Sequence, residues 1–223
     1  GKSDTRAVTR LQAIIFDLDG TLIDSVLDLA SSVNYTLSRI GLENRGLEEI
    51  RSFVGDGVQK LILRSLGPEH TDRSQEALAI FMQHYGSHLT DHTVLYKGVA
   101  DTLATLHSQY RLGVLTNKSE GFSRKILRKL NVDHYFSAVV GGDTLATKKP
   151  DPAGVLHLAA LWRVLPPQML LVGDHATDIA TGMNSGCPTV FLRGGIGEDR
   201  GLMPDYIIDS IAELPRLIRE QFP

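Results

Sequence analysis

Ile14-Ile15-Phe16-Asp17-Leu18-Asp19-Gly20-Thr21-Leu22-Ile23-Asp24-Ser25 sets the topology of everything that follows it. From Ala13 to Phe16 every position is apolar, the pattern of a strand buried on both faces in a parallel sheet. The run stops at Asp17, and Gly20 gives the backbone freedom for a sharp turn just beyond. Asp17 and Asp19 alternate with Leu18, so in an extended segment both carboxylates leave the same face. At close range they repel, and the pair is stable only when one is protonated or a cation lies between them. In an open α/β sheet, ligands bind outside the carboxyl ends of the strands, which is where this pair falls.

Beyond the turn, apolar residues recur at helical spacing over 24–42 (Val26, Leu29, Ala30, Val33, Leu37, Ile40), and Gly41 supplies a stop. Residues 47–53, 57–66 and 74–89 continue with helical patterns, and no strand pattern interrupts them before about 91. That block is too long to be one crossover helix. It predicts an inserted all-helical cap domain over 25–91, with 91–97 as the returning linker. The catalytic core is then 11–24 together with 92–223, preceded by a polar N-terminal extension, 1–10.

From Gly98 the pattern alternates. Helices are predicted over 99–109, 121–130 (Ser119 as N-cap), 151–162, 175–185 and 211–221. Strands are predicted over 112–115, 138–140, 169–172, 189–192 and 206–208. Strands alternating with helices make an α/β fold, a three-layer α/β/α sandwich around a parallel sheet.

The chain of 223 residues is long enough for a full core plus an insert. Its net charge of -3 argues against nucleic acid or an anionic membrane as partner. Cys187 is the single cysteine, so no intrachain disulfide forms, which fits a reducing compartment. Residues 1–10 lack the apolar core of a signal peptide, and no apolar run approaches the ~20 residues of a membrane span. The expectation is a soluble, cytoplasmic protein.

Polar residues collect where the strands stop: Asp17 and Asp19, then Thr116 and Asn117, then Asp174 with Asp178 a turn later, and Lys149 in a nearby loop. In a parallel sheet these ends point the same way, so the groups converge on one crevice. Several carboxylates there call for a hard divalent cation, and an all-oxygen site suits Mg²⁺. A carboxylate can also attack phosphorus and form an acyl phosphate. The cation and Lys149 would offset the repulsion between two anions, and Thr116 would hold a phosphoryl oxygen. Asp19 would protonate the leaving oxygen and later take a proton from water.

Asp17-Leu18-Asp19-Gly20-Thr21, Thr116-Asn117, Lys149-Pro150 and Gly173-Asp174-His175-Ala176-Thr177-Asp178 resemble, in order, the four motifs of the haloacid dehalogenase superfamily. The resemblance covers the chain from about Leu11 and implies a Rossmann-like core, a helical cap and an aspartyl-phosphate on Asp17. It implies Mg²⁺ held by Asp17, the backbone carbonyl of Asp19, and Asp174, with phosphate bound by Thr116, Asn117, Lys149 and Gly20. Thr21 and Asp178 are supporting residues, Asp178 near Lys149 or a metal-bound water. Dehalogenases of this fold lack the second aspartate, so Asp19 points to phosphoryl transfer. His175 stands where many relatives have Ser or Thr. Either it is a tolerated helix N-terminus or its ring reaches the leaving group.

Residues 53–61 resemble the cap segment of phosphoglycolate phosphatases, as do residues 95–99. The Gly55-Asp56-Gly57 turn opens a helix whose N–H groups suit a small carboxylate, with Lys60 or Arg64 adding charge; the other reading is a plain helix–helix turn. A closing cap favours a small phosphorylated metabolite. His84 and His88, four apart without a third ligand, read as a solvated face, and residues 193–197 as a flexible glycine-rich connector. The expected function is a Mg²⁺-dependent phosphatase of a small phosphomonoester, 2-phosphoglycolate the first choice, in a monomer or homodimer. The alternatives are a β-phosphoglucomutase-like mutase, a pyrophosphatase, a nucleotidase or a regulatory binding module.

Overall fold

The apolar run forms β1 (Ala13–Phe16), buried at all four positions, in a computed structural model that describes residues 10–223. The extension expected at 1–10 lies outside the described residues apart from Arg10. After the turn come β2 (Ile23–Asp24), α1 (Val26–Arg39), α2 (Leu47–Phe53), α3 (Val58–Leu66), α4 (Ser74–Gly86) and β3 (Val94–Leu95). β2 and β3 pair antiparallel, Ile23 opposite Leu95 and Asp24 opposite Val94. Asp24 is therefore strand where a helix start is expected, and the returning linker carries the second strand. A two-residue strand is too short to show an alternating pattern. Through this ribbon the chain leaves the core for four helices and returns.

The rest alternates as α5 (Val99–Leu106), β4 (Arg111–Leu115), α6 (Glu120–Lys129), β5 (Ala138–Val140), α7 (Ala153–Trp162), β6 (Met169–Gly173), α8 (Ala176–Ser185), β7 (Thr189–Leu192), β8 (Tyr206–Ile208) and α9 (Leu214–Gln221). Six strands form one sheet in the order β5-β4-β1-β6-β7-β8, every pairing parallel. β1 is central, with Phe16 opposite Val114 of β4 and Val172 of β6. The chain fills one side of β1, then crosses to the other, so the point where strand order reverses lies beside β1.

Alternation along β1 divides the core into two layers. Ile14 and Phe16 join a cluster with Val99 and Leu103 of α5 and Leu214 and Ile218 of α9. Ala13 and Ile15 join Val155 and Leu158 of α7 on the opposite face. This is the expected three-layer α/β/α sandwich. The first cluster continues through Leu18, Leu22 and Val26 into the helical block, reaching Leu29, Ile50, Phe81 and Tyr85. Apolar burial of this kind stabilises by about 25 cal/mol per Å², and it holds the four helices over the strand ends. Among the described residues no helix is long and apolar enough to cross a membrane.

Candidate active site

Three neighbouring strands deliver the principal groups. Asp17, Thr116 and Asp174 follow β1, β4 and β6, and the Asp17 and Thr116 amides still donate into the sheet, to Val172 and Val140, both at 2.9 Å. Asp178 lies in the first turn of α8. Carboxylate oxygens of Asp17, Asp174 and Asp178 lie within 4.8 Å of one another. All three side chains are buried, as is Lys149. The Lys149 ammonium is 2.6 Å from Asp178 Oδ1 and 3.1 Å from Asp17 Oδ1.

Asp174 is held from three directions. Its Oδ1 accepts from the Thr21 hydroxyl at 3.0 Å, and its Oδ2 from the Ile196 and Gly197 amides, both at 2.9 Å. The glycine-rich loop after β7 is thus a wall of the site, which corrects its reading as a flexible connector. Its contribution comes from backbone N–H groups, which no residue type announces. Gly20 makes the close approach possible: its φ is +87°, and a Cβ there would sit 1.9 Å from Asp174 Oδ2.

Three buried carboxylates face one ammonium, and their proton affinities divide accordingly. Burial pushes Asp17 up, but Lys149 and the Leu18 amide outweigh it and hold its carboxyl below the usual range. Burial and the Asp17 charge push Asp174 up to about 7. The same two causes raise Asp178. Burial would lower Lys149, yet Asp17 and Asp178 hold it above its ordinary value. The excess negative charge, on hard oxygen donors, fits a divalent cation.

Asp19 sits beside this cluster in a separate hydrogen-bonded group. Its Oδ1 accepts from Lys118 Nζ at 2.7 Å and from the Ser25 hydroxyl at 2.5 Å. Lys118 also donates to the Tyr85 hydroxyl of α4 at 2.5 Å. Lys118 is not among the residues expected at the site from the sequence; its place directly after Thr116-Asn117 is the signal that marks it. Asn117 Nδ2 donates to the Gly55 and Lys149 carbonyls at 3.2 and 3.1 Å, while its Oδ1 is buried without a partner.

A cavity of about 70 Å³ lies over Asp17, Asp19 and Thr116, walled by Leu29, Val54, Leu61, Phe81 and Phe122 among others. Gly55, Gly57, Asn117, Lys118 and Tyr85 line it as well. Asp56 does not; its carboxylate pairs with Arg64 and Arg200, each at 2.7 Å. Arg64 also donates to the Phe53 carbonyl at 3.1 Å. Lys60 is exposed on α3. Neither cation expected near the glycine turn lines the cavity.

His175 is the N-cap of α8, its Nδ1 accepting from the Thr177 amide at 3.1 Å. Its ring packs against Gly55, where a Cβ would lie 2.4 Å from Cδ2. Burial lowers its proton affinity. The ring thus serves the helix start and the packing of the helical block. His84 stacks between Tyr35 and His88, with ring centroids 4.0 and 4.2 Å apart, and lies outside the carboxylate cluster.

The family model described as haloacid dehalogenase-like hydrolase matches residues 14–192. A phosphoglycolate phosphatase of Chromobacterium violaceum is 37% identical over 215 residues, covering 94% of this chain and 97% of that protein. One of Nitrosococcus oceani is 38% identical over 218 residues, with coverage of 94% and 97%. The crystal structure of a predicted phosphoglycolate phosphatase from Haemophilus somnus superposes with a TM-score of 0.88 at 32% identity, over 93% of this chain and 97% of that one.

Proposed function

The chain belongs to the haloacid dehalogenase-like hydrolases, and we propose that it is a Mg²⁺-dependent phosphatase of a small phosphomonoester, 2-phosphoglycolate first. The observation that carries this is the cluster of Asp17, Asp174, Asp178 and Lys149, of which Asp17 also lines a small cavity together with Asp19 and Thr116. The names of the similar proteins supply the choice of ester.

In this reading an Asp17 oxygen attacks phosphorus as the ester P–O bond breaks, and Asp19 protonates the departing oxygen. Water then attacks the aspartyl phosphate, Asp19 takes its proton, and inorganic phosphate leaves with Asp17 restored. Lys149 neutralises charge on the transferring group, and the Thr116 hydroxyl and the Asn117 backbone N–H orient its oxygens. Asp17 and Asp174, with the Asp19 backbone carbonyl, would hold Mg²⁺, which supplies Lewis-acid stabilisation of the phosphoryl oxygens. Asp178 holds Lys149 at 2.6 Å and thereby aims it. The helices between β2 and β3 act as a cap that excludes water.

The character of the cavity weighs against the mutase and nucleotidase alternatives: the hydroxyls of a hexose or nucleoside would lie unpaired against Leu61, Phe81 and Phe122. Phosphate release from 2-phosphoglycolate should require Mg²⁺ and fall at least about 10³-fold in Asp17→Asn. Release that survives both a chelator and that substitution overturns the reading.

A further inference from the structure

The geometry points to Lys118, together with the Tyr85 hydroxyl, as the pair that recognises a carboxylate on the substrate, two bonds from the ester oxygen. This rests on the phosphatase reading and sharpens it, assigning selectivity to a core residue rather than to the glycine turn.

Among the described residues Lys118 is the one cation lining the cavity, whose other walls are largely apolar. Its side chain is 8% exposed and the Tyr85 residue 1%. A buried ammonium in an apolar wall is costly unless anionic or polar partners surround it. Asp19 is such a partner, and an incoming anion would be a second.

An ammonium has three N–H groups. In this structure one goes to Asp19 and one to the Tyr85 oxygen, which leaves the third. Tyr85 accepts from Lys118, so its own proton is available to another acceptor; burial pushes the phenol up to about 12, which keeps that proton in place. Two donors side by side match the two oxygens of a carboxylate.

Asp19, as general acid, must touch the ester oxygen. In a 2-phospho acid the carboxyl carbon is two bonds from that oxygen, and Lys118 is one hydrogen bond of 2.7 Å from Asp19. The Lys118 amide donates to the Thr116 hydroxyl at 3.1 Å, tying its loop to the phosphate end of the cavity. A methyl group in place of the carboxylate would leave both donors facing apolar atoms.

The test compares kcat/KM for 2-phosphoglycolate with that for ethyl phosphate, in the Mg²⁺-loaded wild type, Lys118→Met, Lys118→Arg and Tyr85→Phe. The ratio of the two substrates cancels whatever Lys118 does for Asp19. The wild type should favour the acid by about 10²-fold or more, Lys118→Met should lose at least about 30-fold of that preference, and Lys118→Arg should keep most of it. Tyr85→Phe should lose several-fold and decides the matter if Lys118→Met does not fold. Equal losses on both esters in the variants would make Lys118 merely structural and overturn the assignment. A wild type that hydrolyses both esters without preference also overturns it, yet leaves the phosphatase intact. No release from either ester removes the phosphatase reading itself.

Discussion

Asp56 shows how a single residue can be visible in the sequence and still do something else. Its glycine neighbours mark the turn, but its carboxylate belongs to Arg64 and Arg200 rather than to a ligand. Burial raises its proton affinity, and the hydrogen bonds from Arg200 and Arg64 more than reverse this, so the folded protein holds it below the ordinary carboxylate range. A group depressed in this way adds stability above its unfolded pKa of ~3.9 and loses it as pH falls toward the folded value. Asp56→Asn should therefore cost about 1–3 kcal/mol at neutral pH in urea unfolding. The gap between wild type and variant should shrink below pH ~4, and a gap of undiminished size at pH ~2 would contradict the ion-pair account. The same scale explains Lys60 and Lys118. Both are lysines close to quoted motifs, but the helix α3 turns one outward while the loop after β4 turns the other into the cavity. Residue type was legible; the direction of the side chain was not.

At the scale of elements, strand ends were the legible part. Every strand of the main sheet contains an apolar run in the sequence, and Asp17, Thr116 and Asp174 stand directly after three of the strands. What the sequence concealed were features without a pattern: the two-residue strands β2 and β3, and the loop whose Ile196 and Gly197 amides hold Asp174. Asp28 makes the ribbon dependable. From the first turn of α1 it accepts from the His92 amide at 2.9 Å, and from the Thr93 amide and hydroxyl at 2.8 and 2.7 Å. Asp28 is 1% and Thr93 4% exposed, so Asp28→Ala would strand the Thr93 donors away from water. The expected loss is about 2–4 kcal/mol in urea unfolding. Asp28→Asn, which retains an acceptor oxygen, should lose less. If the alanine variant matched the wild type, the clamp would have no energetic role.

Over the whole molecule, the helical block and the sheet meet through polar ties around the reaction centre: Asn117 to Gly55, Lys118 to Tyr85 and Arg200 to Asp56. Beneath them, Asp17, Asp174 and Asp178 share one ammonium, so the metal-free fold carries buried repulsion. A cation that binds only the folded chain must relieve it and raise stability by mass action. At about a hundred times its dissociation constant, Mg²⁺ should add about 2.7 kcal/mol. For a chain of this size that is a rise in Tm of about 5–10 °C, read by scanning calorimetry with and without chelator. Asp174→Asn separates the two halves of this argument. Without metal the variant should unfold no lower than the wild type, because it removes a carboxylate that burial and Asp17 already push up to about 7. With Mg²⁺ it should show little of the rise, because an oxygen ligand has lost its charge. A variant that unfolded well below the metal-free wild type, or kept the full rise in Mg²⁺, would mean that Asp174 serves the fold through Thr21, Ile196 and Gly197 and not through a cation.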